Sequence, residues 1–129
     1  HMNVVVAVDV SGSIDSKELN EFIAEVDSLK AQVRARVTLI SCDSRLTGDS
    51  PYVFEPWEFC QLPQHFKGGG STNFTPVFDW VEQHDVHPDL LVYFTDADGQ
   101  FPDIEASYSV IWLVKGKKLV PWGERIQLN

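Results

Sequence analysis

A short apolar run that stops at a carboxylate is the feature that most constrains this chain. Residues 3–8 read NVVVAV, a nearly continuous β-branched stretch, and Asp9 follows at once. Strands that are apolar at every position are buried on both faces, as in parallel sheets covered by helices. The run therefore predicts a central strand of an α/β sheet, with Asp9 at its carboxyl end.

The rest of the chain alternates helical and strand patterns. The segment from Lys17 to Val33 has apolar residues at spacings of three and four, and Asp15 with Glu18 forms a capping box, so we predict an amphipathic helix there. Its apolar positions are Leu19, Phe22, Ile23, Val26, Leu29 and Val33. A second helix is predicted at 75–84, with Pro76 in its first turn. Further strands are predicted at 37–41, 52–55, 90–95, 108–114 and 123–128.

Together these elements predict one domain over residues 3–129. The fold class is α/β: a three-layer, Rossmann-like, open and mostly parallel sheet of about six strands, with helices on both faces. Strand 52–55 is expected at an edge because prolines flank it, and segment 57–67 has no clear period. His1 and Met2 precede the first strand without a signal-peptide layout and are interpreted as a cloning remnant.

Charge and cysteine content limit the partners and the compartment. The formal net charge of -9 argues against nucleic acid and against an anionic membrane, since both require dense positive charge on the protein. Cations or basic surfaces are more suitable partners. Cys42 and Cys60 have no metal-ligand spacing and favour two buried thiols in a reducing, cytoplasmic setting.

Side chains that carry oxygen atoms occur where the predicted strands end, or in loops whose glycines give the backbone conformational freedom. The proposed metal ligands are Asp9, Ser11, Ser13, Thr72 and Asp96. Gly12 allows the first loop to curl, and glycines 68–70 precede the threonine. Ligands of open α/β sheets bind beyond the carboxyl ends of strands, so we expect these oxygens to converge. Such donors suit Mg²⁺ (or Mn²⁺), which prefers oxygen ligands and keeps several waters.

These residues resemble a known site. DVSGS at 9–13, a threonine after a glycine-rich loop, and Thr95-Asp96 closing a strand are similar to the metal-ion-dependent adhesion site of von Willebrand factor A (VWA) domains. Segments 68–78, 92–102, 110–114 and 120–123 are similar to a short bacterial branch of VWA-like domains, found C-terminal to predicted metallopeptidase-like proteins. The stretch between the last two strands is too short for the helix of larger VWA domains.

The resemblance implies a role for each matched residue. The hydroxyls of Ser11, Ser13 and Thr72 would contact the metal, while Asp9 and Asp96 would act directly or through bound waters. Asp9 would also accept hydrogen bonds that orient the loop. Gly12, Asn73 and Asp98 are assigned to the rim of the site or to positions behind the ligands. Asn73 stands where this branch tends to have Asp, which removes one carboxylate.

The expected function is a cation-dependent protein-binding module without enzymatic activity. An acidic side chain of a partner would complete the metal coordination, and the partner would be another domain of the parent chain or an associated ATPase. The alternative is a metal-dependent hydrolase, or an accessory domain of a metallopeptidase-like enzyme, with Asp98 or His65 as the base. A third interpretation is a structural domain that needs no metal.

Other chemistries find little support in the sequence. The glycines are not followed by Gly-Lys-Ser/Thr, no G-x-G-x-x-G follows the first strand, and no G-x-S-x-G elbow surrounds a serine. Residues 96–99 (DADG) lack the later ligands of a calcium loop. His84 and His87 have no H-E-x-x-H context, which favours a solvated helix end over a transition-metal site.

Overall fold

The computed structural model describes residues 2–11, 15–47, 50–61 and 71–128. Two helices and six strands lie in these ranges. They are β1 (Met2–Asp9), α1 (Ser16–Val33), β2 (Ala35–Cys42), β3 (Tyr52–Phe54), α2 (Thr75–Gln83), β4 (Leu90–Thr95), β5 (Ser109–Lys115) and β6 (Glu124–Leu128). Every predicted element is present, and each predicted boundary lies within two residues of the observed one.

The strands form one sheet with the order β3-β2-β1-β4-β5-β6. All neighbouring strands are parallel except β2 and β3, which are antiparallel. The prediction of a mostly parallel α/β sheet is therefore confirmed, and so is the edge position of β3. From β1 the strand order runs outward in one direction to β3, and from β4 in the other direction to β6. Such a reversal leaves a crevice at the carboxyl ends of the two central strands.

Alternate side chains of β1 enter two separate cores. Val5 and Ala7 face α2, whereas Val6 and Val8 face α1. The core on the α2 side is aromatic and includes Phe74, Tyr93 and Trp112. The core on the α1 side is mainly aliphatic and includes Leu19, Ile23, Val37, Leu39 and Phe94. Burial of β1 on both faces is the outcome that its uninterrupted apolar run predicts.

Helix α1 differs from its predicted face at its C-terminal end. Leu29 and Val33, two apolar positions of the predicted amphipathic helix, are 57% and 49% exposed and therefore lie outside the core. Lys30 is instead 3% exposed. Its Nζ donates hydrogen bonds to the backbone oxygens of Glu55 at 2.9 Å and Pro56 at 3.0 Å. The buried ammonium thus fixes α1 to the chain that leaves the edge strand β3.

The two cysteines are free thiols in different surroundings. Cys42 is buried, as predicted, and Cys60 is half-buried. Burial raises the pKa of the Cys42 thiol to about 12 and that of Cys60 to about 11, so both stay protonated at neutral pH. Within the described ranges, no helix combines the length and the apolar character needed to cross a bilayer.

Candidate functional site

The pairing of the two central strands places a carboxylate beside a hydroxyl. Val8 of β1 lies opposite Phe94 of β4, so the next residues along each strand, Asp9 and Thr95, come level with each other. Both are buried, at 1% and 0% exposure. This position is the carboxyl end of β1 and β4, where the strand order reverses and a ligand crevice is expected.

Asp9 is the acceptor on which three chain segments converge. Its Oδ1 accepts hydrogen bonds from the Ser11 amide at 3.0 Å and the Ser11 hydroxyl at 2.5 Å. The Thr72 hydroxyl approaches the same oxygen at 3.4 Å. Oδ2 accepts a hydrogen bond from the Thr95 hydroxyl at 2.6 Å. Both carboxylate oxygens are therefore held by donors from the first loop, the Thr72 loop and the end of β4.

The Asp9 carboxylate is buried among neutral donors. Among the described residues, no Lys, Arg or His nitrogen lies within ion-pair distance of it. A buried carboxylate without a cationic partner is costly, and hydrogen bonds offset only part of that cost. Each serine or threonine hydroxyl has one proton and two lone pairs. When the proton points to Asp9, the lone pairs of Ser11 and Thr72 are free to bind a cation.

The turn after β4 brings Asp96 to the same edge of the sheet. The amide of Ala97 donates to the Thr95 hydroxyl at 3.1 Å, and one carboxylate oxygen of Asp96 accepts from the Asp98 amide at 3.0 Å. Ala97 has a left-handed backbone with φ 65°, which an alanine adopts only at some cost. The turn is thus held by local hydrogen bonds that leave the other Asp96 carboxylate oxygen without a described partner.

The Thr72 loop packs tightly against this turn. The Gln100 amide donates to the Thr72 backbone oxygen at 3.2 Å. A Cβ at Gly99 would come within 2.8 Å of the Thr72 side chain, so only glycine leaves room for the two loops to meet. Asn73 has a structural contact of its own, since its Oδ1 accepts from the Thr75 amide at 3.0 Å and forms an Asx turn just before α2.

Helix α1 starts directly behind the first loop. Asp15 caps it by accepting a hydrogen bond from the Glu18 amide at 2.8 Å, as the capping-box prediction requires of the first residue. This hydrogen bond holds the pKa of Asp15 below its ordinary value of 3.8. The Glu18 carboxylate forms an ion pair with Lys115 at the end of β5, and this pairing raises the pKa of Lys115.

The residues proposed for the site differ in where the structure places them. The structure brings Asp9, Ser11 and Thr72 into direct contact, and it places Asp96 one residue beyond Thr95, which binds Asp9. Gly12 and Ser13 lie outside the described residues. Thr95 received no role in the sequence analysis, although the Thr-Asp pair at the end of β4 was the available signal.

The donors and acceptors around Asp9 are oxygen atoms and one backbone amide, with no histidine or cysteine among the described partners. Among the described residues, no three His, Cys, Asp or Glu side chains lie close enough together to hold a metal ion. His84 stacks on Trp80 with ring centroids 4.5 Å apart, and His87 pairs with Asp85 at 3.1 Å. These contacts agree with the predicted solvated helix end. The oxygens around Asp9, mostly hydroxyl groups, are of the kind that Mg²⁺ and Mn²⁺ prefer.

The two residues considered as catalytic bases have different positions. Asp98 is exposed, and its carboxylate pairs with Lys118 at 3.0 Å. His65 lies outside the described residues. The Ser11 hydroxyl donates a hydrogen bond to the Asp9 carboxylate.

Comparison with known proteins identifies the family. Residues 4–129 match the family described as VWA-like domain (DUF2201). The chain belongs to this family. An uncharacterized protein of Thermotoga maritima is 31% identical to the VWA-like domain over 99 residues, which are 77% of this chain and 24% of the relative.

A solved structure supports the fold of the VWA-like domain. The crystal structure of the ArnB paralog VWA2 from Sulfolobus acidocaldarius superimposes with a TM-score of 0.66 at 14% identity. The superimposed region covers 96% of this chain but only 36% of the Sulfolobus protein. The fold that the sequence resemblance implied is therefore confirmed. This chain therefore spans about a quarter of the length of the Thermotoga protein and about a third of the length of the Sulfolobus protein.

Proposed function

We propose that this VWA-like domain binds one divalent cation, Mg²⁺ or Mn²⁺, and uses it to bind an acidic side chain of a partner protein. Asp9, Ser11, Thr72 and Asp96, together with Ser13, would hold the cation. The observation that carries the proposal is the Asp9 carboxylate, 1% exposed and surrounded by hydroxyl donors without a cationic partner among the described residues.

The residues of the site have distinct tasks in this proposal. Asp9 orients the hydroxyl protons of Ser11 and Thr72, so that their lone pairs point away from it. Thr95 holds the second oxygen of Asp9 and keeps the carboxylate in place. A bound cation would supply an open coordination position for a carboxylate oxygen of the partner. The proposal assigns no catalytic step to this domain.

The cation half of the proposal is tested by isothermal titration with MgCl₂ and MnCl₂. We expect a binding heat for the unaltered domain that is lost in Asp9→Asn and Asp96→Asn. Glu21→Gln is the matched control, because it removes one exposed carboxylate from α1 and should bind as before. Circular dichroism verifies that each variant is folded. Equal heats for the domain and for both site variants, or no heat with either cation, would refute the site.

The partner half is tested on an array of peptides that carry Asp or Glu in varied contexts. Binding of the labelled domain should require Mg²⁺, disappear in EDTA, and disappear when the acidic residue of a bound peptide becomes Asn or Gln. If cation binding is observed but no array peptide depends on both the cation and its own carboxylate, the partner mechanism is wrong while the metal site stands.

A further inference from the structure

A broad groove lies between α2 and the loop 100–108. Its volume is about 1140 Å³, above the roughly 300–1000 Å³ of pockets that enclose small molecules. Apolar and aromatic side chains line it, among them Phe78, Phe101, Ile104 and Tyr108. A groove of this size and composition suits a segment of polypeptide better than a small ligand.

Five exposed carboxylates surround this apolar surface. They are Asp79, Glu82, Asp85, Asp103 and Glu105, and we call the whole feature the acidic groove. Among its described lining residues there is no Lys or Arg, and the one ion pair joins Asp85 to His87 at 3.1 Å. Burial, and then the negative charge of Glu82, raises the pKa of Tyr108 to about 12. Glu82 therefore acts on one side chain that lines the groove.

The walls of the groove are fixed before any ligand arrives. The Trp122 indole donates to the backbone oxygen of Pro102 at 2.9 Å, and the Phe74 amide donates to that of Gln100 at 2.9 Å. The Phe101 ring packs on Phe74 with centroids 4.6 Å apart. Because this backbone is already ordered, little conformational entropy is lost when a partner binds.

The exposure of Ile104 indicates where an apolar contact is missing. Its side chain is 82% exposed at the rim, next to Asp103 and Glu105. We propose that the acidic groove binds a cationic, amphipathic peptide segment of a partner protein. Lys or Arg side chains would pair with the rim carboxylates, while apolar side chains would cover Ile104 and Phe101. The described cation ligands, Asp9, Ser11, Thr72 and Asp96, do not line the groove, so we expect this binding not to require the metal.

The probe is a fluorescein-labelled peptide of about six residues, roughly 20 Å when extended, in which arginines alternate with leucines. Fluorescence anisotropy measures its binding to the domain. We expect saturable binding that weakens steeply as salt shortens the screening length from ~10 Å at 0.1 M to ~3 Å at 1 M. A peptide with serine for leucine should bind about tenfold more weakly, and one with glutamate for arginine should not bind.

Paired variants distinguish binding at the acidic groove from binding that depends only on net charge or on nonspecific hydrophobic contact. Glu82→Gln/Asp103→Asn should weaken binding about tenfold, as expected for two rim ion pairs of ordinary strength. The control Glu21→Gln/Glu25→Gln removes the same charge from the exposed face of α1 and should change binding less than about twofold. Ile104→Ser should weaken binding about fivefold, whereas Leu119→Ser, at 81% exposure elsewhere, should not.

Several results would overturn the proposal. Equal weakening by the two charge pairs would mean that the peptide follows net charge alone. Equal affinity of the serine and leucine peptides would remove the apolar contribution, and loss of binding in EDTA or in Asp9→Asn would place the peptide at the cation site. Conversely, unchanged peptide binding in a domain that binds no Mg²⁺ would support the groove while refuting the metal proposal.

Discussion

The hydroxyl of Thr95 gives the sharpest test of how the candidate site is held together. Thr95→Val keeps the shape of the side chain but removes a donor to the buried Asp9 carboxylate at 2.6 Å and an acceptor for the Ala97 amide at 3.1 Å. A hydrogen bond to a charged group contributes about 1.5–3 kcal/mol, and an unpaired buried amide costs about 1–3 kcal/mol. Allowing for partial relaxation, we expect a loss of about 3 kcal/mol.

Urea unfolding at neutral pH measures this loss. With an m-value of roughly 1.5 kcal/mol/M, the unfolding midpoint should fall by about 2 M. The matched control is Thr38→Val, since Thr38 is a buried strand residue whose hydroxyl has no hydrogen bond among the described residues. Its replacement should be nearly neutral, because no partner is left unpaired. If both variants lose the same stability, the Thr95 hydroxyl does not hold Asp9 and the account of the site fails.

Two further predictions concern α1. Lys30→Met leaves two backbone oxygens unpaired and should lower the free energy of unfolding by about 2 kcal/mol, whereas the exposed Lys17→Met should change it by less than ~0.5 kcal/mol; thermal melts decide between these outcomes. Asp15→Ala should lower the melting temperature at pH 7. Because the pKa of Asp15 is lower in the folded chain than its ordinary 3.8, the cap stabilises the fold above that pH and loses its effect as acid protonates the folded carboxyl below it. A melting difference that persists in strong acid would contradict this reasoning.

Sequence patterns predicted the strands well because a strand that is buried on both faces is apolar at nearly every position. The uninterrupted run of β1 and the apolar strands β4 and β5 have few competing interpretations. The prolines that flank β3 likewise indicated an edge, since a proline cannot complete the ladder of a central strand.

The end of α1 shows where periodicity fails. At 100° per residue, Lys30 lies about 20° from Leu19, in the middle of the buried stripe, whereas Leu29 lies about 80° from Leu19, at its margin. A prediction based on the spacing of apolar residues includes Leu29 in the buried face and leaves out Lys30. The burial of Lys30 depends on two backbone oxygens at 55 and 56, which no local pattern reveals.

The role of Thr95 could not be predicted from the sequence for a related reason. Its hydroxyl meets Asp9 only because β1 pairs with β4 in one particular register. The sequence indicated that both residues end strands, but not which strands are neighbours. Strand order and register arise from the packing of the whole sheet, so a contact that depends on both cannot be deduced from either segment alone.

The convergence on Asp9 has a consequence for how the domain can be studied. Its side chain joins Thr72 and Thr95, which are 63 and 86 residues away along the chain. Contacts of such long range require large loops to close, which costs more conformational entropy than a local contact does. A short peptide that contains only one of these segments cannot reproduce the site. A destabilising substitution in any strand that connects the segments will also disturb the contacts of Asp9.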